Sequence, residues 1–189
     1  MKVNLVPELG RLIVTEGMDR GVDFAYSLEL GLDHAEIVPL SFITPGFEIP
    51  IVPIVVNAFA APMPSLKRCF DVGAFVRGVI EQWDPGKRVA VIGTGGLSHW
   101  VGPPETGTIN EEFDHWFLDS LVAGRSAEIA AKYSRSDELE KVAGNGGQEI
   151  RDWLAVAGAM PSQLKPRVLA YEPIRQWATG TGVMAWTAN

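Results

Sequence analysis

The sequence is poor in features that usually reveal a compartment or a charged partner. It has one cysteine, Cys69, in 189 residues, so no disulfide can form within the chain and we expect a reducing, cytoplasmic setting. It has no cluster of lysine and arginine, and its net charge of −7 argues against nucleic acid as the main partner. No apolar run reaches the length of a membrane span, and the N-terminus lacks the apolar core of a signal peptide. These absences, with 47% hydrophobic residues, are typical of a globular protein.

Histidine is also scarce, with only His34, His99 and His115 in the chain. The most informative of them is His99, which follows an apolar, β-branched run at 88–92 and a turn at 93–96 that contains three glycines. The run predicts a buried central strand, and ligands of open α/β sheets bind just beyond the carboxyl ends of strands. His99 is therefore a candidate reactive residue, the alternative being an exposed histidine on an ordinary turn. A nucleotide site ranks last, because neither the GxGxxG spacing nor the Lys-Ser/Thr pair of a P-loop is complete.

The rest of the chain predicts an α/β fold, because helical and strand patterns follow one another. Apolar spacing and capping residues predict helices over 7–19, from Ser65 to 83, from Asn110 onward, over 136–143 and from Gln148 onward. Alternating or continuous apolar runs predict strands at 22–28, 51–57, 88–92, 167–171 and 182–186, and 37–42 is also rich in strand-forming residues. We expect one layered αβα domain over residues 1–189, with a mostly central sheet flanked by helices.

Three further side chains are candidates either for a functional role or for an ordinary structural one. His34 lies in a predicted loop over 30–36, just past a strand, and could face a ligand or simply the solvent. His115 falls on the polar side of its predicted helix, which indicates a solvated position. Glu149 lies in the first turn of the helix that starts at Gln148, where the helix dipole favours an anion. Ordinary charge placement in a first turn is the simpler explanation of this position.

Several segments, taken in order, resemble one family of enzymes. They are GLDHAEIVPL (31–40), NAFAAPMPSLKRC (57–69), IGTGGLSHW (92–100), TINEEFDHWFLDSL (108–121) and GNGGQEIRDWLAVAGAM (144–160). From about residue 8 to its end the chain is similar to the class III extradiol ring-cleavage dioxygenases, the family of the protocatechuate 4,5-dioxygenase beta subunit. The resemblance implies oxidative opening of a catecholic acid, such as protocatechuate or gallate, with Fe(II) and O₂.

The resemblance also implies roles for three residues. His99 matches the base that takes a proton from a catecholic hydroxyl, and His34 matches a second active-site histidine that donates a proton and places the substrate. Glu149 matches the carboxylate ligand of the non-haem ferrous ion. These residue types suit the chemistry, because imidazole titrates near neutrality and iron of this kind is held by two histidines and one carboxylate.

One departure from the family pattern concerns the metal. Both histidine ligands of the family come from a segment before the region matched here, so we expect this chain to be truncated at its N-terminus relative to the family. It could be a fragment, a misassigned start, a subunit completed by another polypeptide or a degenerate relative. A non-catalytic subunit or metal-free pseudo-enzyme is therefore the alternative function, and a metal triad of His34, His99 and Glu149 is a further one. The family also implies a homo-oligomer or a complex with another subunit.

Overall fold

The regular structure consists mainly of helices, with one β-hairpin near the C-terminus. It is known from a computed structural model that describes residues 3–102 and 104–188. The described helices are α1 (Pro7–Asp19), α2 (His34–Ile43), α3 (Leu66–Trp83), α4 (Glu111–Val122), α5 (Ser126–Lys132), α6 (Ser136–Ala143) and α7 (Ile150–Ala159), with a 3₁₀ turn at Gly146–Glu149. The strands are β1 (Lys165–Ile174) and β2 (Thr179–Thr187). This content of helices and strands confirms the α/β class. None of the helices described is long and apolar enough to cross a membrane.

The capping signals in the sequence locate the starts of α1, α3 and α4 correctly. The backbone N–H of Arg68 donates to Oγ of Ser65 at 3.1 Å, and that of Phe113 donates to Oδ1 of Asn110 at 3.1 Å. Pro7 is the first residue of α1, where its missing N–H costs nothing. Local signals are sufficient here because the donor groups at a helix start are satisfied by nearby side chains.

The helices α3 and α7 pack backbone to backbone. A Cβ built on Gly73 of α3 would fall inside the contact distance of the carbonyl oxygen of Ala155, and one built on Gly158 of α7 would do the same at the carbonyl of Phe70. Only glycine lets two helix backbones approach so closely at these points. This contact fixes α7, and with it the residues that precede α7.

Two groups of buried side chains form the core. The larger lies among α4 to α7 and the hairpin and includes Leu97, which is fully buried and precedes His99 by two residues. The smaller lies between α1 and α3. Cys69 is buried on α3 as expected, and burial raises the pKa of its thiol to about 11. The turn that carries His99 is thus anchored in the main core.

Within residues 3–102 and 104–188 the predicted central sheet is not formed. The sheet of the described residues is the antiparallel hairpin β1–β2, which contains both closing strands predicted at 167–171 and 182–186. The segments 22–28 and 88–92 have no strand pairing, and 51–57 has only an isolated parallel bridge from Leu5 to Ile51. A strand needs a neighbouring backbone to bond, and an apolar sequence cannot supply it. As a result Ile92 is 48% exposed rather than buried.

The predicted loop at 30–36 is also wrong in its second half. His34 is the first residue of α2, and 37–42 is helical rather than extended. The cause is a capping box: the carboxylate of Asp33 accepts from the N–H of Ala35 at 2.7 Å, while Glu36 accepts from the N–H of Asp33 at 3.0 Å. This pair of hydrogen bonds overrides the strand preference of the apolar residues that follow.

Candidate active site

The glycine turn after residue 92 packs directly on the start of α7. A Cβ built on Gly93 would lie 2.9 Å from the carbonyl oxygen of Asp152, and one on Gly95 would lie 2.6 Å from Cβ of Glu149. Gly95 also has a φ of +101°, a conformation that side chains with a Cβ resist. The glycines therefore allow this turn to touch the segment that carries Glu149.

Glu149 is held by the glycine turn through its carboxylate. It is the last residue of the 3₁₀ turn and immediately precedes α7, rather than lying within the first turn of a helix that starts at Gln148. Its Oε2 accepts a hydrogen bond from the backbone N–H of Gly96 at 2.6 Å. On the next turn of α7, Nε1 of Trp153 donates to the carbonyl of Gly95 at 3.2 Å. The carboxylate is thus fixed in position and only partly buried.

The ring of His99 lies next to the same glycine. A Cβ on Gly96 would lie 3.3 Å from both Nδ1 and Cε1 of the His99 ring. The backbone N–H of His99 donates to the carbonyl of Ala143 at 2.8 Å, and its carbonyl accepts from the N–H of Gly146 at 3.1 Å. The structure therefore brings His99 and Glu149 together around Gly96, although they are far apart in sequence.

The hydrogen bond of the His99 ring determines which nitrogen can accept a proton. Nδ1 lies 3.0 Å from the carbonyl oxygen of Leu97, which can only accept, so Nδ1 carries the hydrogen. In the neutral ring Nε2 is then the unprotonated nitrogen and can act as a base. Nε2 lies against Gly146, where a Cβ would overlap the ring. Glycine at this position is therefore a steric requirement for the imidazole.

A buried arginine organises the turn before Glu149. Arg151 is 1% exposed, and it donates to the carbonyls of Pro64 at 2.7 Å and Gln148 at 3.0 Å and to Oγ of Ser136 at 2.8 Å. Burial lowers the pKa of its guanidinium. This residue was not identified from the sequence. No sequence signal identifies it, because its partners come from distant segments.

A second carboxyl lies near Glu149. Burial, with the negative charge of Glu149 adding to it, raises the pKa of Asp152 to about 7. The positive charge of Arg151 opposes this shift. Asp152 can therefore hold a proton close to neutral pH. The spacing of three residues from Glu149 is a signal that could have found it, since residues i and i+3 share a helix face.

The structure does not bring the other two histidines to this site. The side chain of His34 is 89% exposed at the start of α2, with its Nδ1 3.8 Å from the carboxylate of Asp33. His115 is exposed on α4, as expected, and its ring lies 4.6 Å from that of Tyr171. The exposure of His34 is that of an ordinary solvated histidine.

The side chains described do not fit a ferrous site by themselves. An iron centre of the expected kind needs two histidines and one carboxylate on one ion. The part of the chain that the structure describes contains no group of three or more His, Cys, Asp or Glu side chains that could hold a metal ion. The alternative triad of His34, His99 and Glu149 is therefore not formed. Glu149 supplies one carboxylate, and no reaction step is assigned to iron in this chain.

Comparison with protein families gives one match over almost the whole chain. Residues 1–183 match the model described as the catalytic LigB subunit of aromatic ring-opening dioxygenase. The match covers every residue of the glycine turn and the segment around Glu149.

The curated relatives that the chain matches are also named as dioxygenases. The chain is 25% identical, over 231 aligned residues, to a 2,3-dihydroxyphenylpropionate/2,3-dihydroxicinnamic acid 1,2-dioxygenase of Photorhabdus laumondii, which covers 97% of this chain and 71% of the relative. It is 30% identical over 155 residues to a gallate dioxygenase of Pseudomonas putida, covering 79% of this chain and 44% of the relative. A 2,3-dihydroxyphenylpropionate/2,3-dihydroxicinnamic acid 1,2-dioxygenase of Azotobacter vinelandii is 28% identical over 214 residues. This alignment covers 89% of this chain and 67% of the relative. The chain thus spans less than half of the gallate enzyme.

Proposed function

The chain belongs to the family of the catalytic LigB subunit of aromatic ring-opening dioxygenase, and from this premise we propose that it takes part in extradiol cleavage of a catecholic acid. The substrate class is a small aromatic acid with two vicinal hydroxyls, of the protocatechuate or gallate type, and the co-substrate is O₂. We also propose that residues 1–189 act as one catalytic domain.

The observation that carries the proposal is the meeting of His99 and Glu149 at Gly96. A catechol donates electrons to O₂ more readily once one hydroxyl has lost its proton. The general base that removes this proton must lie within hydrogen-bond reach of it. Nε2 of His99 is the acceptor that the hydrogen bond to Leu97 leaves unprotonated. We propose that it takes the hydroxyl proton while the carbonyl of Leu97 holds the ring in place.

We propose Fe(II) as the metal and His34 as a second active-site residue. Fe(II) is the metal that the family resemblance implies, with Glu149 as its carboxylate ligand; when bound, such an ion supplies a template for the substrate oxygens and a Lewis acid. His34 is proposed to donate a proton and to help place the substrate. Its exposed position at the start of α2 would require the substrate or a partner to bring the two histidines into one site.

The proposal is tested by oxygen consumption with protocatechuate or gallate and added Fe(II). We expect O₂ uptake with a yellow ring-opened product, and a loss of rate of about 100-fold or more in His99→Gln, which removes the base. His115→Gln is the matched control, because that ring is exposed on α4, and it should keep the wild-type rate. Equal rates for the two variants would contradict the role of His99.

A second candidate function is a metal-free member of the family that binds catecholic acids without opening them. It is favoured by the lack of a metal-holding group among the described side chains. Metal analysis of the purified chain separates the two. Stoichiometric iron supports the enzyme, whereas a chain that binds a catecholic acid but neither holds iron nor consumes O₂ supports the second candidate.

We further propose that the chain works as a homo-oligomer. Its accessible surface is 11,358 Å², whereas a compact monomer of 20.5 kDa exposes about 8,800 Å². Of the nineteen exposed large apolar side chains among the described residues, ten lie between residues 26 and 59. An excess of this size is enough for a stable interface. Light scattering should give at least twice the mass of one chain, and a monomer at micromolar concentration would contradict the proposal.

A further inference from the structure

Asp114 is a buried carboxyl that the proposed function does not use. It lies on α4 and has no exposed surface. Its two oxygens accept three hydrogen bonds: from the backbone N–H of Ser98 at 2.7 Å, from the hydroxyl of Ser98 at 2.9 Å and from the hydroxyl of Tyr171 at 2.8 Å. A carboxyl in the core is costly unless such donors surround it. Two of the three donors belong to the residue next to His99.

Ser98 is held from every side by this arrangement. Its hydroxyl also accepts from the backbone N–H of Asn110 at 2.8 Å. Its carbonyl accepts from the N–H of Gly180 at 3.0 Å, and the carbonyl of Gly180 accepts from the N–H of Leu97 at 2.9 Å. Gly180 in turn lies so close to Asp114 that a Cβ there would overlap the carboxyl. The carboxyl thus joins the histidine turn, α4 and the β-hairpin.

The position of Ser98 gives these contacts a consequence for catalysis. Ser98 separates Leu97, whose carbonyl accepts the Nδ1 hydrogen, from His99, which carries the ring. A rotation of the backbone at Ser98 would move that carbonyl away from Nδ1 and free the ring to exchange tautomers. The side chain of Asp114 prevents this rotation by holding both the N–H and the hydroxyl of Ser98.

We propose that Asp114 is a positioning residue for His99: by fixing Ser98 it keeps the Leu97 carbonyl on Nδ1 and so keeps the lone pair on Nε2. This inference rests on the proposed role of His99 as the base. Tyr171 supports it through the third hydrogen bond to the carboxyl. Asparagine could still accept from the N–H of Ser98 and donate to the two hydroxyls, whereas alanine removes both oxygens and leaves these groups without their acceptor.

The test is the tautomer of His99, measured by ¹⁵N NMR of the imidazole rings, with each histidine assigned by its glutamine variant. In the wild type we expect His99 to be the Nδ1–H tautomer, whereas the exposed His34 and His115 should favour Nε2–H, as the side chain of free histidine does. In Asp114→Ala the ratio of the His99 tautomers should change by roughly fivefold or more, which corresponds to about one net hydrogen bond. Asp119→Ala is the matched control, since Asp119 lies exposed on the same helix and its replacement should change nothing.

Two further measurements keep the outcomes distinct. Tyr171→Phe removes a single hydrogen bond to the carboxyl and decides the question if Asp114→Ala does not fold. It should shift the tautomers in the same direction by a smaller amount. Oxygen uptake by the Asp114 and Tyr171 variants should show a lower kcat than the wild type, with little change in KM. Folded variants with an unchanged His99 tautomer would overturn the proposal. A changed tautomer together with full activity of His99→Gln would leave the positioning role intact and refute the proposed function instead.

Discussion

Replacing Gly73 with alanine should lower the free energy of unfolding by about 3 kcal/mol. The new Cβ would overlap the carbonyl oxygen of Ala155, which belongs to the backbone of α7 and cannot rotate away as a flexible side chain could. The helices α3 and α7 would have to separate, and the main core around them would lose contacts. Urea denaturation followed by circular dichroism measures the effect.

The same helix offers a matched control. Gly78 also lies on α3, but a Cβ there would meet nothing closer than Nη1 of Arg20 at 4.0 Å. Gly78→Ala should therefore stabilise the chain by roughly 0.5–1 kcal/mol, because alanine loses less backbone entropy in a helix. If the two variants changed stability equally, the close approach of α3 and α7 would be wrong, and with it the position of Glu149.

Replacing Gly146 with alanine should reduce the rate of ring opening at least as much as His99→Gln does, by about 100-fold or more. The new Cβ would occupy the space of Nε2 and Cδ2 of His99, so the ring must leave its place. The backbone of His99 cannot follow, because its N–H and carbonyl are bonded to Ala143 and Gly146. The change also disturbs the 3₁₀ turn that ends at Glu149. Oxygen uptake at saturating substrate measures the loss.

Gly31→Ala controls for the general effect of adding a methyl group. A Cβ at Gly31 meets no atom within 4 Å, and this variant should keep the wild-type rate and stability. Thermal unfolding of Gly146→Ala shows whether the chain stays folded. A folded Gly146→Ala variant with full turnover would contradict the placement of the imidazole.

The sequence predicted the features whose causes are local. The starts of α1, α3 and α4 depend on Pro7, Ser65 and Asn110, and each cap acts within a few residues. The two closing strands were predicted from their own residues, and the structure shows that they pair with each other as a hairpin. The glycine turn before His99 could likewise be located, since three glycines in four residues permit few structures other than a turn.

The errors come from features that depend on distant partners. The run at 88–92 has the composition of a buried strand, but its pairing depends on a second backbone that sequence patterns cannot identify. The helix that begins at His34 was missed because the reciprocal hydrogen bonds of Asp33 and Glu36 outweigh the strand preference of the apolar residues after them.

The candidate site divides in the same way. His99 and Glu149 were found by family resemblance, and the structure places them around one glycine. Asp114 and Arg151 were not found, because a charged side chain becomes buried only when distant segments surround it. The donor from Tyr171 to Asp114, for example, lies 57 residues along the chain. Sequence alone does not distinguish such a residue from a solvated charge.

The most direct test of the central claim is an NMR titration of the ¹⁵N-labelled chain with protocatechuate or gallate. If Nε2 of His99 accepts a hydrogen bond from the catecholic hydroxyl, the Nε2 resonance should shift progressively and saturate. The ring resonances of His115 should stay unchanged and serve as an internal reference. Ring resonances of His99 that do not move when the catecholic acid has saturated the protein would contradict the account.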